Sequence, residues 1–575
     1  STGTLSSADG NTGVGIGVLA ALTSGDNNVA VGLNSLNDIT TGSGNVGLGL
    51  ETLQKVTTVS DLTAVGRCAL EANTSGTENT SVGAYAMREN TTGDKNTALG
   101  YAALQVNLSA DCNTGVGYFA LNANTTGVSN TAVGNKALTV NTTASSNTAV
   151  GDSTLCKNTT GASNTAVGFG ALFANTTALH NVAVGRVALT ANTTGTCNIA
   201  MGVNALTANT TGNNNVAIGF CANATSTDRN DNTAIGYEAL KVNTGIGNTA
   251  VGARAADSNT SAEGITAVGN RALCSNTTGA NNTAMGMCAM RTSTTGANNT
   301  AVGMCSLFAN TTANGNTAIG SLALNSNTTG AGSTAVGCLA MEENTTGGDN
   351  VGIGKNALQE NTTAGGNTAV GRCALALNTT GASNVALGKT AGAKNTDGDG
   401  NTFIGVLAAC TLTTGCYNTY VGSETAPSAV DVLFESVVGR SGTGKGSGTF
   451  FSGSSANGVF NTANTTTWAQ TSDRRIKKNI VNNNTGLDKI NQIQVRDFEY
   501  RTKAEVTDFE NAEAAYVDKS GVQIGVIAQE IEDIFPEMVT TQSTGVKTFN
   551  PDKLTFYLIN AIKELKAEIE LLKNK

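Results

Sequence analysis

The chain has 575 residues, of which 70 are glycine and only 3 are proline, while aromatic residues make up 4% and charged residues 13%. So few large side chains cannot fill several thick globular cores, and the 39% hydrophobic content argues against a disordered chain. The low proline count and the lack of a Gly-X-Y period exclude collagen. The composition therefore predicts a long, glycine-rich repeat protein.

Several classes of function are also disfavoured by composition. No apolar run is long enough to span a membrane, so membrane insertion is not expected. A net charge of −9 gives no basic footprint for nucleic acid. A single histidine leaves no means of building a histidine-based catalytic or metal site, and we expect neither a metal nor a cofactor.

A 17-residue repeat runs through most of the chain. The pentad Asn-Thr-Ala-Val-Gly recurs with its glycine at steps of 17 from Gly15 to Gly236, takes one step of 16 to Gly252, and resumes at 17 as far as Gly422, giving 25 repeats. The consensus is N-T-A-V-G-x-x-A-L-x-x-N-T-T-G-x-x, whose positions we number 1 to 17. The residue missing from the short step falls in the turn at 243–245.

The pattern within a repeat indicates strands and turns. Position 4 is Val, Ile, Leu or Met in all 25 repeats, and position 9 is Leu or Met in 20 of them. The exceptions at position 9 are Asn223, Ala256, Gly392, Ala409 and Ala426. Short β-branched runs between Gly and Asn signals predict two short strands and two tight turns per coil. Coils stacked about 4.8 Å apart would make a rod about 115 Å long. We therefore predict a mainly β fold, a parallel β-solenoid or β-roll over residues 1–426.

Three positions have expected structural roles. The Asn at position 1 can hydrogen-bond its counterpart in the next coil and satisfy buried turn backbone. The Gly at position 5 would supply a positive φ or a close backbone approach. The Ala at position 8 would keep one face thin enough to pack against another surface. One coil buries little, so stability is expected from stacking and from partner chains, with three rolls side by side favoured and handedness left open.

The repeat resembles the NSVAIG-type repeat of trimeric autotransporter adhesin heads over residues 11–426. Those heads are trimers of left-handed parallel β-rolls, so the resemblance implies a homotrimer of solenoids.

Other features of the repeat have ordinary structural interpretations. The Asn-Thr-Thr triplets are interpreted as the repeated turn sequence rather than as glycosylation sites. An ice-binding face needs threonines at i and i+2, whereas the threonines of each triplet are adjacent. The 12 cysteines recur at equivalent positions and are expected to be small apolar filler. A disulfide between Cys288 and Cys305, one coil apart, is the alternative.

The composition changes after residue 426. A Gly/Ser-rich segment predicts a neck over 427–471, and from Ser472 onward 32 of 104 residues are charged, against 43 of the preceding 471. The last segment predicts a small α+β domain with a strand at 522–526, a helix ending before Pro536, and a helix start at Asn550. After this helix start, large aliphatic residues spaced alternately 4 and 3 positions apart predict a coiled-coil seam. Its Ile at heptad position a and Leu at heptad position d by themselves favour dimers. The seam comprises Leu558, Ile562, Leu565, Ile569 and Leu572.

The C-terminal segment resembles the endosialidase-type intramolecular chaperone of phage tail fibres and spikes. The resemblance rests on SDRRIKKNI at 472–480, GVIAQE at 525–530 and Phe-Pro at 535–536, and it covers 472–575. It implies a domain that trimerises, guides folding of the β-rich fibre before it, and then cleaves itself off between Thr471 and Ser472. The motif positions besides the cleavage site are Asp473, Arg475, Asn479, Gln529 and Glu530.

The resemblance assigns a Ser–Lys dyad to Ser472 and Lys477. A serine hydroxyl is a weak nucleophile until a base takes its proton, and a lysine can serve if desolvation lowers its pKa. Ser472 Oγ would attack the Thr471 carbonyl and form an ester that water hydrolyses. Lys478 is the alternative base.

These observations predict an extracellular viral tail fibre on the virion. Its expected partners are two further copies of itself, other tail proteins and a host surface receptor, either a glycan or an envelope component. A bacterial surface adhesin with the same rod is the alternative, although neither a signal peptide nor an anchor is evident in the sequence; an ice-binding solenoid fits less well. Uniform coils leave no inserted domain for a receptor-degrading enzyme, so autoproteolysis is the one enzymatic activity expected.

Overall fold

The fold is described from a computed structural model covering residues 8–455, 457–461, 474, 477–508, 517, 519–543 and 545–575. The chain divides into two compact units, Ser1–Gln470 and Thr471–Lys575. We call them the repeat domain and the C-terminal unit.

Each coil of the repeat domain contributes one three-residue strand from positions 2 to 4. Successive strands pair in parallel with like positions aligned, as in Thr165 with Val182 and Ala166 with Ala183. The predicted parallel β-solenoid with a 17-residue repeat is therefore confirmed. The strands β1 to β26 are Thr12–Val14, Val29–Val31, Val46–Leu48, Thr63–Val65, Thr80–Val82, Thr97–Leu99, Thr114–Val116, Thr131–Val133, Thr148–Val150, Thr165–Val167, Val182–Val184, Ile199–Met201, Val216–Ile218, Thr233–Ile235, Thr249–Val251, Thr266–Val268, Thr283–Met285, Thr300–Val302, Thr317–Ile319, Thr334–Val336, Val351–Ile353, Thr368–Val370, Val385–Leu387, Thr402–Ile404, Thr419–Val421 and Ser436–Val438.

The ladder continues beyond the predicted end of the solenoid. Strand β26 pairs in parallel with β27 (Phe450–Ser454), which pairs in antiparallel fashion with β28 (Asn457–Asn461). Part of the segment that its composition assigned to a neck therefore belongs to the stack. A boundary at residue 426 is too early, because Gly and Ser enrichment there marks turns between strands.

The prediction of two strands per coil is wrong for the described coils. Opposite the strand, positions 7 and 9 adopt the left-handed conformation, as at Cys68 (φ 56°) and Leu70 (φ 50°). This conformation costs an L-residue about 1–2 kcal/mol. It is held by hydrogen bonds along the stack, such as Leu70 N–H to the Ala86 carbonyl at 3.1 Å. The second side of the coil is thus a ladder of turns.

The interior is formed by positions 3, 8 and 9. Ala166, Ala171 and Leu172 are fully buried, whereas Val167 at position 4 is partly exposed. Side chains alternate along a strand, so position 3 points inward and positions 2 and 4 point outward. The prediction that the position-8 alanines form an outer face is therefore wrong, because those alanines pack inside the coil.

Small residues at position 9 compensate for large ones at position 3. A Cβ on Gly392 would lie 2.5 Å from the Phe403 ring. The Phe403 and Tyr420 rings stack at 6.0 Å between centroids inside the last coils. The exceptions Gly392 and Ala409 thus make room for rings that replace the usual alanine.

The predicted ladder at position 1 is confirmed. Asn96 donates its backbone N–H to Asn79 Oδ1 at 2.9 Å and its Nδ2 to the Ala110 carbonyl at 2.8 Å, so one buried side chain joins successive coils. The role of the position-5 glycine is confirmed as well. Gly66 has φ +124°, and a Cβ there would lie 2.6 Å from the Gly83 carbonyl carbon.

Glu435 takes the place of asparagine at the end of this ladder. Its backbone N–H donates to Asn418 Oδ1 at 2.7 Å, and its buried carboxylate accepts from the Tyr420 hydroxyl at 2.7 Å. The N–H groups of Ser428 and Gly446 also donate to it, at 3.1 and 2.9 Å. Burial, and then the Glu435 carboxylate, raise the pKa of Tyr420 above its usual range, so the hydroxyl remains a donor.

A second asparagine ladder runs along position 12 and was not foreseen from the sequence. Asn90 Nδ2 donates to Asn73 Oδ1 at 2.8 Å. The ladder is broken where the asparagine is replaced by Ser226, Ser293 or Leu412. In each case the asparagine one coil earlier has an Oδ1 with no hydrogen-bond partner among the described residues. These orphaned acceptors belong to Asn209, Asn276 and Asn395.

The C-terminal unit is a small α+β fold. Its helices are α1 (Leu487–Ile490), α2 (Ala528–Ile534) and α3 (Leu554–Lys573), with 3-10 turns at Lys503–Glu505, Pro536–Met538 and Pro551–Lys553. Two antiparallel pairs join β29 (Arg496–Phe498) to β30 (Gln523–Gly525) and β31 (Val539–Thr541) to β32 (Lys547–Phe549). Its core is Ile531, Phe535 and Met538.

Both landmarks of the predicted C-terminal helices are confirmed. Helix α2 ends before Pro536, and the Asn550 side chain caps the next turn by accepting the Asp552 N–H at 2.9 Å. Within the described residues, none of the helices has the length and apolar character that a membrane crossing needs.

Restoring the broken position-12 ladder should stabilise the neighbouring coils. Ser293→Asn would supply an Nδ2 donor to Asn276 Oδ1, and relieving a buried unpaired acceptor contributes about 1–3 kcal/mol. We expect slower hydrogen–deuterium exchange in peptides that cover residues 273–310. Ser163→Asn, the same change at an exposed turn position, serves as the control. Equal exchange rates in wild type and Ser293→Asn would contradict this role of the ladder.

Candidate functional site

The predicted cleavage motif is only partly described. Thr471, Ser472, Asp473 and Arg475 lie outside the described residues, so the cut site and the Ser–Lys dyad stay predictions. After the gap, Lys477 donates its backbone N–H to the Arg474 carbonyl at 3.2 Å.

The described lysines of the motif are on the surface. Lys477 and Lys478 are both exposed in the single chain. Asn479 follows in the left-handed conformation (φ 55°), which asparagine tolerates better than most residues. A lysine acts as a general base only after desolvation, so base catalysis here requires another surface to cover the motif.

The segment that follows the motif is hydrogen-bonded to helix α3. Asn560 Nδ2 donates to the Asn483 carbonyl at 2.8 Å and to the Thr485 carbonyl at 3.1 Å. Glu564 Oε2 accepts the Leu487 N–H at 2.7 Å, at the start of α1. The chain leaving the cleavage motif is therefore held by the terminal helix.

Gly486 is needed for this close contact. A Cβ at this position would lie 2.5 Å from Glu564 Oε1 and 2.8 Å from the Ala561 backbone nitrogen. No sequence signal pointed to these contacts, because the partners are about 75 residues apart and neither is part of a motif.

Two further motif residues lie in the first turn of α2. The Glu530 carboxylate pairs with the Arg496 guanidinium, with Nη2–Oε1 at 3.0 Å and Nε–Oε2 at 3.3 Å, which ties α2 to β29. Gln529 is exposed and borders a surface depression together with Phe498, Tyr500 and Phe549. Glu530 thus has a structural role, and the Gln529 side chain is open to a partner.

Polar contacts also fix the turn after α2. Lys489 Nζ donates to the Ile534 carbonyl at 2.9 Å and lies 5.1 Å from the centre of the Phe535 ring. The Tyr557 hydroxyl donates to Glu537 Oε1 at 2.9 Å. The backbone N–H of Glu537 itself, and then this hydroxyl, hold the pKa of Glu537 below its usual value.

The predicted heptad row of α3 is exposed in the single chain. Exposure is 41% at Leu558, 63% at Ile562, 42% at Leu565, 49% at Ile569 and 69% at Leu572. One side of the helix packs on the segment after the motif, and the heptad side carries unburied aliphatic surface. Such a row is typical of a helix that associates with other helices.

One group of possible metal ligands occurs among the described residues. The ligand atoms of Glu51, Cys68 and Glu71 lie within 4.8 Å of one another. Burial, and then Glu71, raise the pKa of the Cys68 thiol to about 11, so it is protonated at neutral pH. Arg88 Nε pairs with Glu71 at 3.0 Å. The Cys68 thiol donates to Glu51 Oε2 at 3.5 Å, so these side chains form a local polar network.

The cysteines do not form the alternative disulfide. Cys288 and Cys305 are free thiols, as are the other ten cysteines. Burial, and then the neighbouring Cys288, raise the pKa of Cys305.

The C-terminal unit matches one known protein family over part of its length. Residues 472–540 match the family described as chaperone of endosialidase. The match starts at the predicted nucleophile Ser472 and includes Gln529 and Glu530, and it lies entirely within the C-terminal unit. The resemblance stated from the sequence is confirmed there. No curated protein matches the chain.

The anchoring of the segment after the motif can be measured directly. Glu564→Ala removes the acceptor of the Leu487 N–H, and we expect faster hydrogen–deuterium exchange in peptides spanning 480–495. The control is Glu568→Ala, an exposed glutamate one turn further along α3. An unchanged exchange rate in Glu564→Ala would show that this hydrogen bond does not hold the segment.

Proposed function

We propose that the chain is a homotrimeric tail-fibre protein whose solenoid forms the fibre and whose C-terminal unit directs assembly. The observation that carries the proposal is the chaperone-of-endosialidase match directly after a long stack of uniform coils. The fibre would be extracellular, part of a virion, in contact with other tail proteins. It would attach to a glycan or envelope component of the host surface.

Uniform coils create a register problem that such a unit would solve. Like positions pair throughout β1 to β26, so a slip by one coil replaces each contact with a nearly identical one. Chains that stack out of register are trapped and prone to aggregate. An associating C-terminal unit would align the chains before their coils stack. The exposed heptad row of α3 supports this association, because it offers the surface through which helices pair.

Self-cleavage would follow association. Ser472 Oγ would attack the Thr471 carbonyl carbon while Lys477 takes the hydroxyl proton. The C–N bond then breaks, the Ser472 nitrogen leaves as an amine carrying that proton, and an ester joins Thr471 to Oγ. Water hydrolyses the ester, leaving a carboxylate on Thr471 and restoring the hydroxyl. Because Lys477 is exposed in the single chain, its desolvation would come from another copy, which makes cleavage wait for assembly.

A bacterial surface adhesin built from the same coils is the second candidate. The repeat domain suits both functions. The match at 472–540 favours the fibre, because an adhesin has no use for a folding unit that releases itself.

The cleavage proposal is tested by intact mass of the purified protein. We expect wild type to split between Thr471 and Ser472, while Ser472→Ala and Lys477→Ala remain whole. Lys478→Ala is the matched control and should still split, because Lys477 is the assigned base. Full-length protein in all four samples would contradict autoproteolysis, and the C-terminal unit would then be an assembly unit that stays attached to the fibre. Cleavage in Lys477→Ala but not Lys478→Ala would reassign the base.

The chaperone proposal is tested by deleting residues 472–575. We expect the shortened chain to aggregate or remain unassembled, because nothing sets the register of its coils. Ser472→Ala in the full chain is the control, since it keeps the C-terminal unit and should assemble normally. Soluble, SDS-resistant trimers from residues 1–471 alone would exclude a required folding role.

A further inference from the structure

Sulfur-containing side chains concentrate in two consecutive coils of the repeat domain. Two of the 12 cysteines and four of the 8 methionines lie between Met285 and Cys305. Within this stretch Cys288 and Cys305 both occupy position 7, one coil apart, and each follows a methionine at position 6. No other two cysteines of the sequence share a repeat position in consecutive coils. We call these two cysteines, with Met287 and Met304, the sulfur cluster.

Side chains at position 7 contact one another along the stack. Arg254 Nε donates to Glu238 Oε2 at 3.1 Å, and Asn204 Nδ2 donates to Cys221 Sγ at 3.8 Å. Each of these pairs consists of position-7 residues in consecutive coils. The two thiols of the sulfur cluster occupy the same row, so they lie side by side, one coil apart.

Position 6 lies next to position 7 at the same corner of the coil. The rings of Tyr118 and Phe119, at positions 6 and 7 of one coil, have centroids 4.4 Å apart. Tyr101 and Tyr118, at position 6 of consecutive coils, stack at 5.5 Å. The repeat geometry therefore places the Met287 and Met304 side chains next to the two thiols. These methionines are 50% and 46% exposed and both thiols are half-buried, so a small ion can reach the cluster.

The four ligands suit a soft monovalent cation such as Cu(I). Thiolate and thioether sulfur are the ligands that Cu(I) prefers, whereas calcium and magnesium bind oxygen. A structural zinc site needs four cysteine or histidine ligands. The sulfur cluster has two cysteines, and the only histidine of the chain, His180, belongs to a different coil.

The spacing of the coils fits one ion between the two thiols. A bond between a thiolate and a metal such as zinc is about 2.3 Å long, so two such bonds in line span about 4.6 Å. This length is close to the coil spacing of about 4.8 Å. A disulfide needs Cβ atoms about 3.8 Å apart, which is shorter than that spacing. An ion can therefore bond both sulfurs without bending the stack.

We propose that the sulfur cluster binds one Cu(I) ion between Cys288 and Cys305, with Met287 and Met304 as further ligands. Each thiol releases its proton to solvent as its sulfur–copper bond forms, and no electron is transferred. The ion links two consecutive coils on their outer side. The sequence predicted no metal site because the chain has one histidine, and that reasoning does not apply to an ion that binds sulfur. The site is independent of the proposed tail-fibre function.

The charges around the cluster suit this complex. Two thiolates and one Cu(I) ion carry one net negative charge. Arg271 occupies position 7 in the coil before Cys288, so its guanidinium belongs to the same row. Burial, and then Cys288, raise the pKa of Cys305, whereas Arg291 lowers it. The two arginines thus favour ionised sulfur.

A competition titration on the full-length protein tests the site. The probe is Cu(I) held by the chelator bicinchoninate without oxygen, and loss of the colour of the chelate reports transfer to the protein. We expect wild type to bind one Cu(I) per chain. Cys305→Ser should bind at least about 100-fold more weakly, because even indirect partners of a metal contribute about 10–100-fold.

Cys373→Ser is the matched control for this titration. Cys373 also occupies position 7, but its neighbours in that row are Asn356 and Thr390, which offer no sulfur. We expect this variant to bind as wild type does. Equal binding by wild type and Cys305→Ser, or the same loss in Cys373→Ser, would overturn the site. Both variants should fold, because Ser153 occupies position 7 with the same left-handed conformation (φ 56°).

The thioethers are tested separately. Leucine occurs naturally at position 6, at Leu33 and Leu50, so the double variant Met287→Leu with Met304→Leu should fold. We expect it to bind Cu(I) about tenfold more weakly than wild type. An unchanged affinity would reject the thioethers as ligands.

Hydrogen–deuterium exchange shows whether the bound ion links the two coils. We expect Cu(I) to slow exchange in wild-type peptides that cover residues 286–307, because a ligand that binds the folded coils stabilises them. Exchange in Cys305→Ser should not respond to Cu(I). An equal response in both proteins would place the ion elsewhere, and binding without a response in wild type would contradict a link between coils.

Discussion

The repeat domain depends on one constraint: each residue must lie above its equivalent in the next coil. Backbone hydrogen bonds run along the stack, and buried asparagine side chains repeat the same link, as Asn96 does with Asn79. A position can therefore hold only side chains that tolerate a copy of themselves about 4.8 Å away. Alanine and leucine inside, asparagine at the corners and glycine at the tight turn meet this condition. This constraint accounts for the low content of aromatic and charged residues.

A coil built in this way is stabilised mainly by its neighbours. Its interior is two alanines and a leucine, and it holds left-handed residues that are costly in isolation. Stability is then a sum of contacts between adjacent coils, which makes the ends of the stack vulnerable. At the C-terminal end, Glu435 closes the position-1 ladder, and β28 turns back in antiparallel fashion to cover the edge of β27. An open edge strand would otherwise pair with other chains.

The period and its small residues predicted the solenoid, and the position-1 asparagine predicted a ladder. The second strand was mispredicted because a leucine in the sequence gives no signal of a positive φ. Leu70 adopts the left-handed conformation only because its coil stacks on its neighbours. Position 8 was mispredicted because the sequence alone does not show whether a repeated alanine faces the interior of the coil or its outer surface. For the site, the motif assigns Ser472 and Lys477 to a dyad that stays a prediction, because Ser472 lies outside the described residues. The contacts of Asn560 and Glu564 join distant segments and carry no local pattern.

Irregular coils mark positions within one chain but not the offset between copies. Phe403 packs beside Gly392 inside the coils of its own chain, where another copy cannot contact it, and the residue missing after Gly236 falls in a turn. The strand ladder is uniform from β1 to β26, so a shift by one coil between copies changes little in contact energy. Alignment must then come from outside the repeats. A C-terminal unit that associates first meets this need, because it fixes the offset between copies before the indistinguishable coils can choose one.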